Sequence, residues 1–303
     1  MHDYAVLDAA LAAAGIPCQK EEKMSAHTSF KIGGPADRFI RVPDTAALQA
    51  ALHALQESET PYFVLGNGTN LLVPDDGLRG AVLLLEGEFK QVQLLEGGGL
   101  LCGAGASLMS VCAFARSNAL SGLEFAWGIP GALGGALYMN AGAYGGEMKQ
   151  VVHKVYYLDE AGVPGSLSGE ALRFGYRTSA FTNTKKVITK ADLRLTGGVE
   201  AEISAKMEDL MQRRKSKQPV ELPSAGSVFK RPEGHFAGAL IEQCGLKGCT
   251  VGGACVSEKH AGFIVNNGGA TCADVERLIE HIQTTVLRET GVLLEPEVRR
   301  VRL

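Results

Sequence analysis

Apolar residues recur at helical spacing in three long stretches of the chain and cluster or alternate at strand spacing between them. Leu48, Leu52 and Leu55 form the stripe of a helix opened by Asp44, whose carboxylate suits an N-cap, and closed before Pro61. Ile203, Met207, Leu210 and Met211 share one face of a predicted helix over 201–216. Val275, Leu278, Ile279, Ile282 and Val286 do the same for a last helix ended by Gly291. Shorter helices are predicted over 4–14, closed by Gly15, over 108–116, and over 236–244, closed by Gly245. Strands are predicted over 38–42, 62–65, 82–85, 90–95, 187–195 and 263–265. A hairpin spans 151–163 with Gly162 at its turn, and 293–303 reads as an alternating terminal strand carrying Glu295 and Glu297. The Gly197-Gly198 pair, where the pattern changes to a long helix, is the candidate domain boundary between 1–197 and 198–303.

One stretch fits neither periodicity. Residues 122–146, GLEFAWGIPGALGGALYMNAGAYGG, hold eight glycines, the only tryptophan (Trp127) and a single charge (Glu124). Glycine offers no side chain to pack and loses the most backbone entropy, so such a cluster suggests left-handed backbone or close approach to something bulky. A flat cofactor against this backbone is one reading, and a glycine-rich packing loop is the other. Gly131 and Gly135 make a GxxxG pair, but Glu124, Pro130 and Asn140 break the apolar run well short of the ~20 residues a spanning helix needs. The loop GNGTNLLV (66–73), straight after a predicted strand, could converge backbone N–H groups on an anion; a plain β-turn explains it equally well.

Composition narrows the chemistry. Length and a 46% hydrophobic, 21% charged make-up suit a globular protein of about two domains, and the net charge of −3 implies no broad surface for nucleic acid or anionic membrane. Seven cysteines without a CxxC pair read as reduced thiols in a cytoplasmic protein, and Asp3 and Asp8 stand where an export signal would be basic. His2, His27, His53, His153, His235, His260 and His281 are scattered without metal-ligand spacing, so no metal is expected.

Six segments in fixed order, HTSFKIGGPADRF (27–39), GNGTNLLV, GIPGALGGALYMNAGAYGGE (128–147), YRTSAF (176–181), AGSVFK (225–230) and LEPEVR (294–299), resemble the UDP-N-acetylenolpyruvoylglucosamine reductase family over nearly the whole chain. The resemblance implies an α+β protein with an FAD-binding fold of the vanillyl-alcohol oxidase type, its two subdomains near 1–80 and 81–197, followed by a substrate domain over 198–303. It implies FAD as cofactor, NADPH as reductant and UDP-N-acetylglucosamine enolpyruvate as substrate, reduced to UDP-N-acetylmuramate for peptidoglycan in the cytoplasm. A monomer without nucleic-acid or membrane partners is expected.

By the same resemblance, Leu65, Gly66, Asn67, Gly68, Thr69, Asn70 and Leu71 wrap the FAD pyrophosphate. Pro130, Gly131, Gly134, Gly135, Asn140, Gly142, Ala143 and Tyr144 run along the isoalloxazine and ribityl chain, with Ile188 and Arg214 as further flavin contacts. Lys217 and Arg231 are matched to the substrate's nucleotide.

Arg177, Ser227 and Glu297 look similar to the family's catalytic set. Hydride would pass from flavin N5 to C3 of the enolpyruvyl ether, Arg177 and a protonated Glu297 would stabilise charge at C2 and its carboxylate, and Ser227 would deliver the proton to C2. Each residue also has a plain alternative: Arg177 a strand-edge cation, Ser227 a turn hydroxyl, Glu297 an exposed partner of Arg299. Residues 178–226 contain no tyrosine, so the chain resembles the family's shorter branch, which lacks a tyrosine loop over the substrate. Two rivals remain at this point: another oxidoreductase on the same flavin fold, and a nucleotide-sugar binding protein without redox activity.

Overall fold

The computed structural model describes residues 4–303, so His2 and Asp3, read above from the sequence, lie outside the described residues. The chain forms two compact units, each assembled from separate stretches. The first holds the chain through Lys20, with Arg38–Asn67 and Gly80–Gln212; the second holds Glu21–Asp37, Gly68–Arg79 and Arg213–Leu303.

In the first unit, helices α1 (Ala5–Ala13) and α2 (Thr45–Glu57) pack on each other. Asp44 caps α2 by accepting the Ala47 N–H at 2.8 Å, and the stripe expected from its period, Leu48, Leu52 and Leu55, is buried. The strand Tyr62–Leu65 pairs in parallel with Leu78–Leu85, in a sheet ordered Cys18–Lys23, Pro35–Val42, Leu78–Leu85, Tyr62–Leu65. A five-stranded antiparallel sheet runs Pro164–Ser168, Val152–Leu158, Val187–Arg194, Gly99–Gly103, Val92–Leu94. Its first two strands are the hairpin expected around Gly162, which takes the left-handed φ of 75° that the turn requires. Helix α3 (Leu108–Ser117), capped by Ser107, and the short α4 (Leu133–Tyr138) belong to the same unit. One core joins these pieces, from Leu7 through the α2 stripe to Leu133, Phe181 and Met207.

Helix α5 (Glu200–Lys217) buries Ile203, Met207 and Leu210 as its period predicts, and the buried row then reaches Arg214. The second unit pairs Ser224–Ser227, Phe263–Asn266, Ala254–Val256 and Thr250–Val251 in an antiparallel sheet, with α6 (Ala237–Gln243) and α7 (Cys272–Thr290). Helix α7 opens on a capping box between Thr271 and Asp274 and ends on Gly291 at a left-handed φ of 74°. Its apolar face packs with Val228, Phe229, Leu240 and Ile264, and Phe30, Ile32 and Leu72 complete that core. The expected terminal strand is realised only at Arg299–Arg300, which pairs in parallel with Leu71–Leu72. Just before it, the Lys230 N–H donates to the Glu295 carbonyl and the Glu297 N–H to the Val228 carbonyl, so residues 295–298 follow residues 228–230 instead of extending a sheet.

Replacing Asp44 with Ala removes the α2 cap without touching either core. A loss of about 1 kcal/mol in chemical denaturation, with no change in the slope of the transition, is the expected result.

Candidate active site

The two glycine loops meet within the first unit. The strand Tyr62–Leu65 ends on buried Leu65 and hands the chain to Gly66 and Asn67, whose Nδ2 donates to the Pro130 carbonyl at 2.8 Å. A Cβ on Gly66 would stand 3.3 Å from the Ala132 Cβ, so the loops touch through bare backbone. Residues 131–134 are pinned to the turn ahead of α3: the Leu108 N–H donates to the Gly131 carbonyl, the Leu133 N–H to Ala106 and the Gly134 N–H to Ala104, all within 2.9 Å. A Cβ on Gly134 would meet Ala104 at 3.1 Å, whereas one on exposed Gly135 would meet nothing within 4 Å.

Past α4 the chain turns at Asn140, 1% exposed and held at a left-handed φ of 44°, which asparagine tolerates better than most side chains. Its Oδ1 accepts the Lys149 N–H at 2.9 Å, and its Nδ2 donates to Glu147 Oε2 at 2.9 Å and to the Gly175 carbonyl at 3.0 Å. Asn140, expected at the flavin, thus spends its side chain on the protein. Gly142–Ala143 pairs with Gly146–Glu147 across a turn whose central residues, Tyr144 (φ 52°) and Gly145 (φ 84°), have the signs of a type I′ hairpin. A Cβ on Gly142 would stand 2.7 Å from the Gly146 carbonyl. Tyr144 is exposed on the turn.

Arg177 sits on a neighbouring turn. Gly175 and Thr178 exchange backbone hydrogen bonds at 3.1 and 3.3 Å, leaving Tyr176 and Arg177 at the tip. Arg177 takes φ 56°, a region a long side chain enters only at a cost of ~1–3 kcal/mol, and its guanidinium lies 5.2 Å from the Tyr176 ring centroid. The Asn140 bond to Gly175 and a 2.9 Å bond from Ser179 Oγ to the Tyr138 carbonyl fasten this turn to the glycine segment. Ile188 is buried in the five-stranded sheet, opposite Tyr157.

In the second unit, residues far apart in sequence converge. Gly226 (φ 74°) turns the chain into Ser227, which pairs with Phe263, while the Val228 N–H donates to the Gly262 carbonyl at 2.9 Å. The Glu297 N–H donates to the Val228 carbonyl at 2.6 Å, placing Glu297 beside the serine strand. Asn70 joins them: its Nδ2 donates to the Glu297 carbonyl at 3.2 Å and its carbonyl accepts the Arg299 N–H at 2.9 Å. The Thr69 carbonyl is 4.0 Å from where a Gly226 Cβ would lie. Gly68 (φ 63°) holds this loop so close to His27 that a Cβ would stand 2.1 Å from the His27 carbonyl. Leu71 pairs with Arg299.

Among the cations, Arg214 is buried and donates Nη1 to Gln218 Oε1 at 3.1 Å, and Lys217 is exposed at the end of α5. Arg231 stacks its guanidinium 4.0 Å from the ring centroid of Phe236, which is 61% exposed. One neighbour of Ser227 escaped the sequence reading. The half-buried His260 takes the Gly262 N–H on Nδ1 at 3.1 Å, and burial pulls its pKa below the usual 6.5. In the sequence it is one of seven scattered histidines.

The residues present fit an FAD. An open, side-chain-free face at Gly135 and two backbone loops tied by Asn67 to Pro130 suit a flat, polyanionic cofactor. A profile described as FAD binding domain matches residues 36–164, and one described as UDP-N-acetylenolpyruvoylglucosamine reductase, C-terminal domain, matches residues 218–301. The likeness to berberine bridge enzyme from Eschscholzia californica, at 15% identity, a TM-score of 0.51 and coverage of 64% of this chain and 44% of that one, concerns the fold alone. The class is therefore a flavin-dependent oxidoreductase on an α+β FAD-binding fold.

Closer relatives specify which. UDP-N-acetylenolpyruvoylglucosamine reductases of Caldanaerobacter subterraneus subsp. tengcongensis and Exiguobacterium sibiricum are 51% and 48% identical, each over 92% of this chain and 92% and 91% of their own. The crystal structure of the Thermus caldophilus enzyme of that name superposes with a TM-score of 0.81 at 36% identity, covering 94% of this chain and 98% of that one. The chain belongs to the UDP-N-acetylenolpyruvoylglucosamine reductase family. Both rival readings drop out.

Gly135 faces open space, whereas Gly142 lies against its own chain. Gly135→Leu should fold with the parent's thermal transition yet purify with little flavin absorbance, whereas Gly142→Leu should lose stability first, by about 1–3 kcal/mol.

Proposed function

We propose that Arg177, Ser227 and Glu297 carry out the reduction of UDP-N-acetylglucosamine enolpyruvate to UDP-N-acetylmuramate in this flavoenzyme. The observation that supports this reading is the backbone bond from the Glu297 N–H to the Val228 carbonyl, which brings residue 297 alongside the serine strand from 70 positions away, with Asn70 Nδ2 holding the Glu297 carbonyl. FAD, reduced by NADPH, supplies the hydride for C3 of the enolpyruvyl ether. Arg177 offers a forked donor to the substrate carboxylate, where negative charge builds as C3 accepts hydride. Its strained turn supports that role, since a residue held off its preferred backbone has its reach fixed in advance. Ser227 protonates C2, and a protonated Glu297 donates to the developing charge.

Lys217 and Arg231 hold the substrate's nucleotide, and Arg214, buried at the end of the α5 row, faces the cofactor or the diphosphate. The flavin is gripped by 1–197 through the loops at 65–71 and 130–144 together with Ile188, and the substrate by 198–303. Between Arg177 and Ser227 the chain is taken up by a turn, the strand Val187–Arg194, the Thr196–Gly197 bridge, helix α5 and a short connection, which agrees with the branch lacking a tyrosine loop. No helix among the described residues is long and apolar enough to cross a membrane, and we place the enzyme in the cytoplasm as a monomer.

Stopped-flow absorbance separates the two halves of the cycle. Ser227→Ala should be reduced by NADPH at the parent rate but form product about 10²–10⁴-fold more slowly; parent turnover would remove Ser227 from the mechanism. Arg177→Lys keeps the charge and loses the fork, so kcat should fall about tenfold to a hundredfold, and a near-parent kcat would mark Arg177 as structural.

A further inference from the structure

His260 is the titratable group that the mechanism above leaves without a task, and its seat is cut to fit. Its ring lies against two glycines: a Cβ on Gly238 would stand 3.1 Å from Cε1, and one on Gly262 would stand 3.0 Å from Cε1 and 3.1 Å from Nδ1. That same point over Gly262 is 3.4 Å from Ser227 Oγ, so the imidazole edge and the serine hydroxyl border one small space. The ring meets Phe263 edge-on with centroids 5.0 Å apart, and Phe263 is the residue paired with Ser227. Gly262 itself is held on both sides, its N–H by His260 Nδ1 and its carbonyl by the Val228 N–H.

We propose that His260 is a positioning residue for Ser227, holding the serine strand in its productive register only as a neutral imidazole with Nδ1 as acceptor. The inference rests on the reading of Ser227 as the proton donor to C2. An N–H facing Nδ1 fixes the tautomer, so the ring proton sits on Nε2. A second proton would have to go on Nδ1, where it would confront the Gly262 N–H and break the bond that orients Gly262, the residue whose carbonyl takes the Val228 N–H. Burial already disfavours that cation. The charged groups facing the ring are Lys247, which opposes the cation, and Glu242, which favours it; they pair with each other at 2.6 Å.

The sign follows directly. Because the folded protein binds this proton less readily than the unfolded chain, the seated form is complete above the ordinary value of 6.5 and is lost as pH falls through the lowered folded value. An acid limb below 6.5 should therefore appear in the step that consumes the enolpyruvyl nucleotide and be missing from flavin reduction by NADPH.

The test measures both half-reactions of the holoenzyme against pH in the parent, His260→Asn, His260→Leu and Ser227→Ala. Asn places an acceptor near the Nδ1 position and cannot be protonated, so His260→Asn should keep the substrate half-reaction at pH 7.5 within about threefold and flatten its acid limb. His260→Leu should slow that half-reaction by about 100-fold, the cost of a displaced reacting group, with flavin content and NADPH reduction unchanged. If His260→Asn retains the parent's acid limb, or if His260→Leu slows both half-reactions alike, the positioning role is wrong. Parent-like turnover in Ser227→Ala would instead overturn the assignment of Ser227 and leave the His260 profiles to be read without it.

Discussion

The layout of the second unit depends on how closely residue 68 passes the backbone of His27. With φ at 63° and the His27 carbonyl 2.1 Å from where a Cβ would be, no side chain fits, and glycine alone allows the approach. The Gly68 carbonyl then takes the Ser29 N–H, and the next two residues run on in a fixed direction. Asn70 can therefore hold the Glu297 carbonyl with its side chain and the Arg299 N–H with its backbone, and Leu71–Leu72 can pair with Arg299–Arg300. The register of the C-terminal segment, and with it the backbone of Glu297 alongside Val228, is supported by this close approach.

The helices were legible because burial and period coincide: the α2 and α7 stripes are the apolar positions at helical spacing, and Asp44 and Gly291 mark one end of each. The division into units was not legible. Phe30, Ile32 and Leu72 look like any apolar residues near the N-terminal third, yet they complete the core around α7, because packing across 200 positions leaves no local trace. Nor did alternation at 293–303 distinguish a strand from a segment that meets residues 228–230 through a few separate backbone bonds.

The site was partly readable for a related reason. A glycine beside open space and one that makes room for its own chain have the same letter: a Cβ would meet nothing at Gly135 and the Gly146 carbonyl at Gly142. Asn140 carries polar atoms that suited a flavin contact, and its side chain also ties the Arg177 turn, through Gly175, to Glu147 and Lys149. His260 gave no signal at all, since its meaning lies in the register of two strands and in the absence of side chains at 238 and 262.

The left-handed backbone at Arg177 also has a consequence for how this enzyme can be improved. Glycine at that position would relieve the backbone at no steric cost, and the turn would keep both of its hydrogen bonds. On the proposed mechanism the same replacement takes away the group that grips the substrate carboxylate. A library sorted for heat resistance alone would enrich glycine at 177, and the clones it enriched would be the inactive ones.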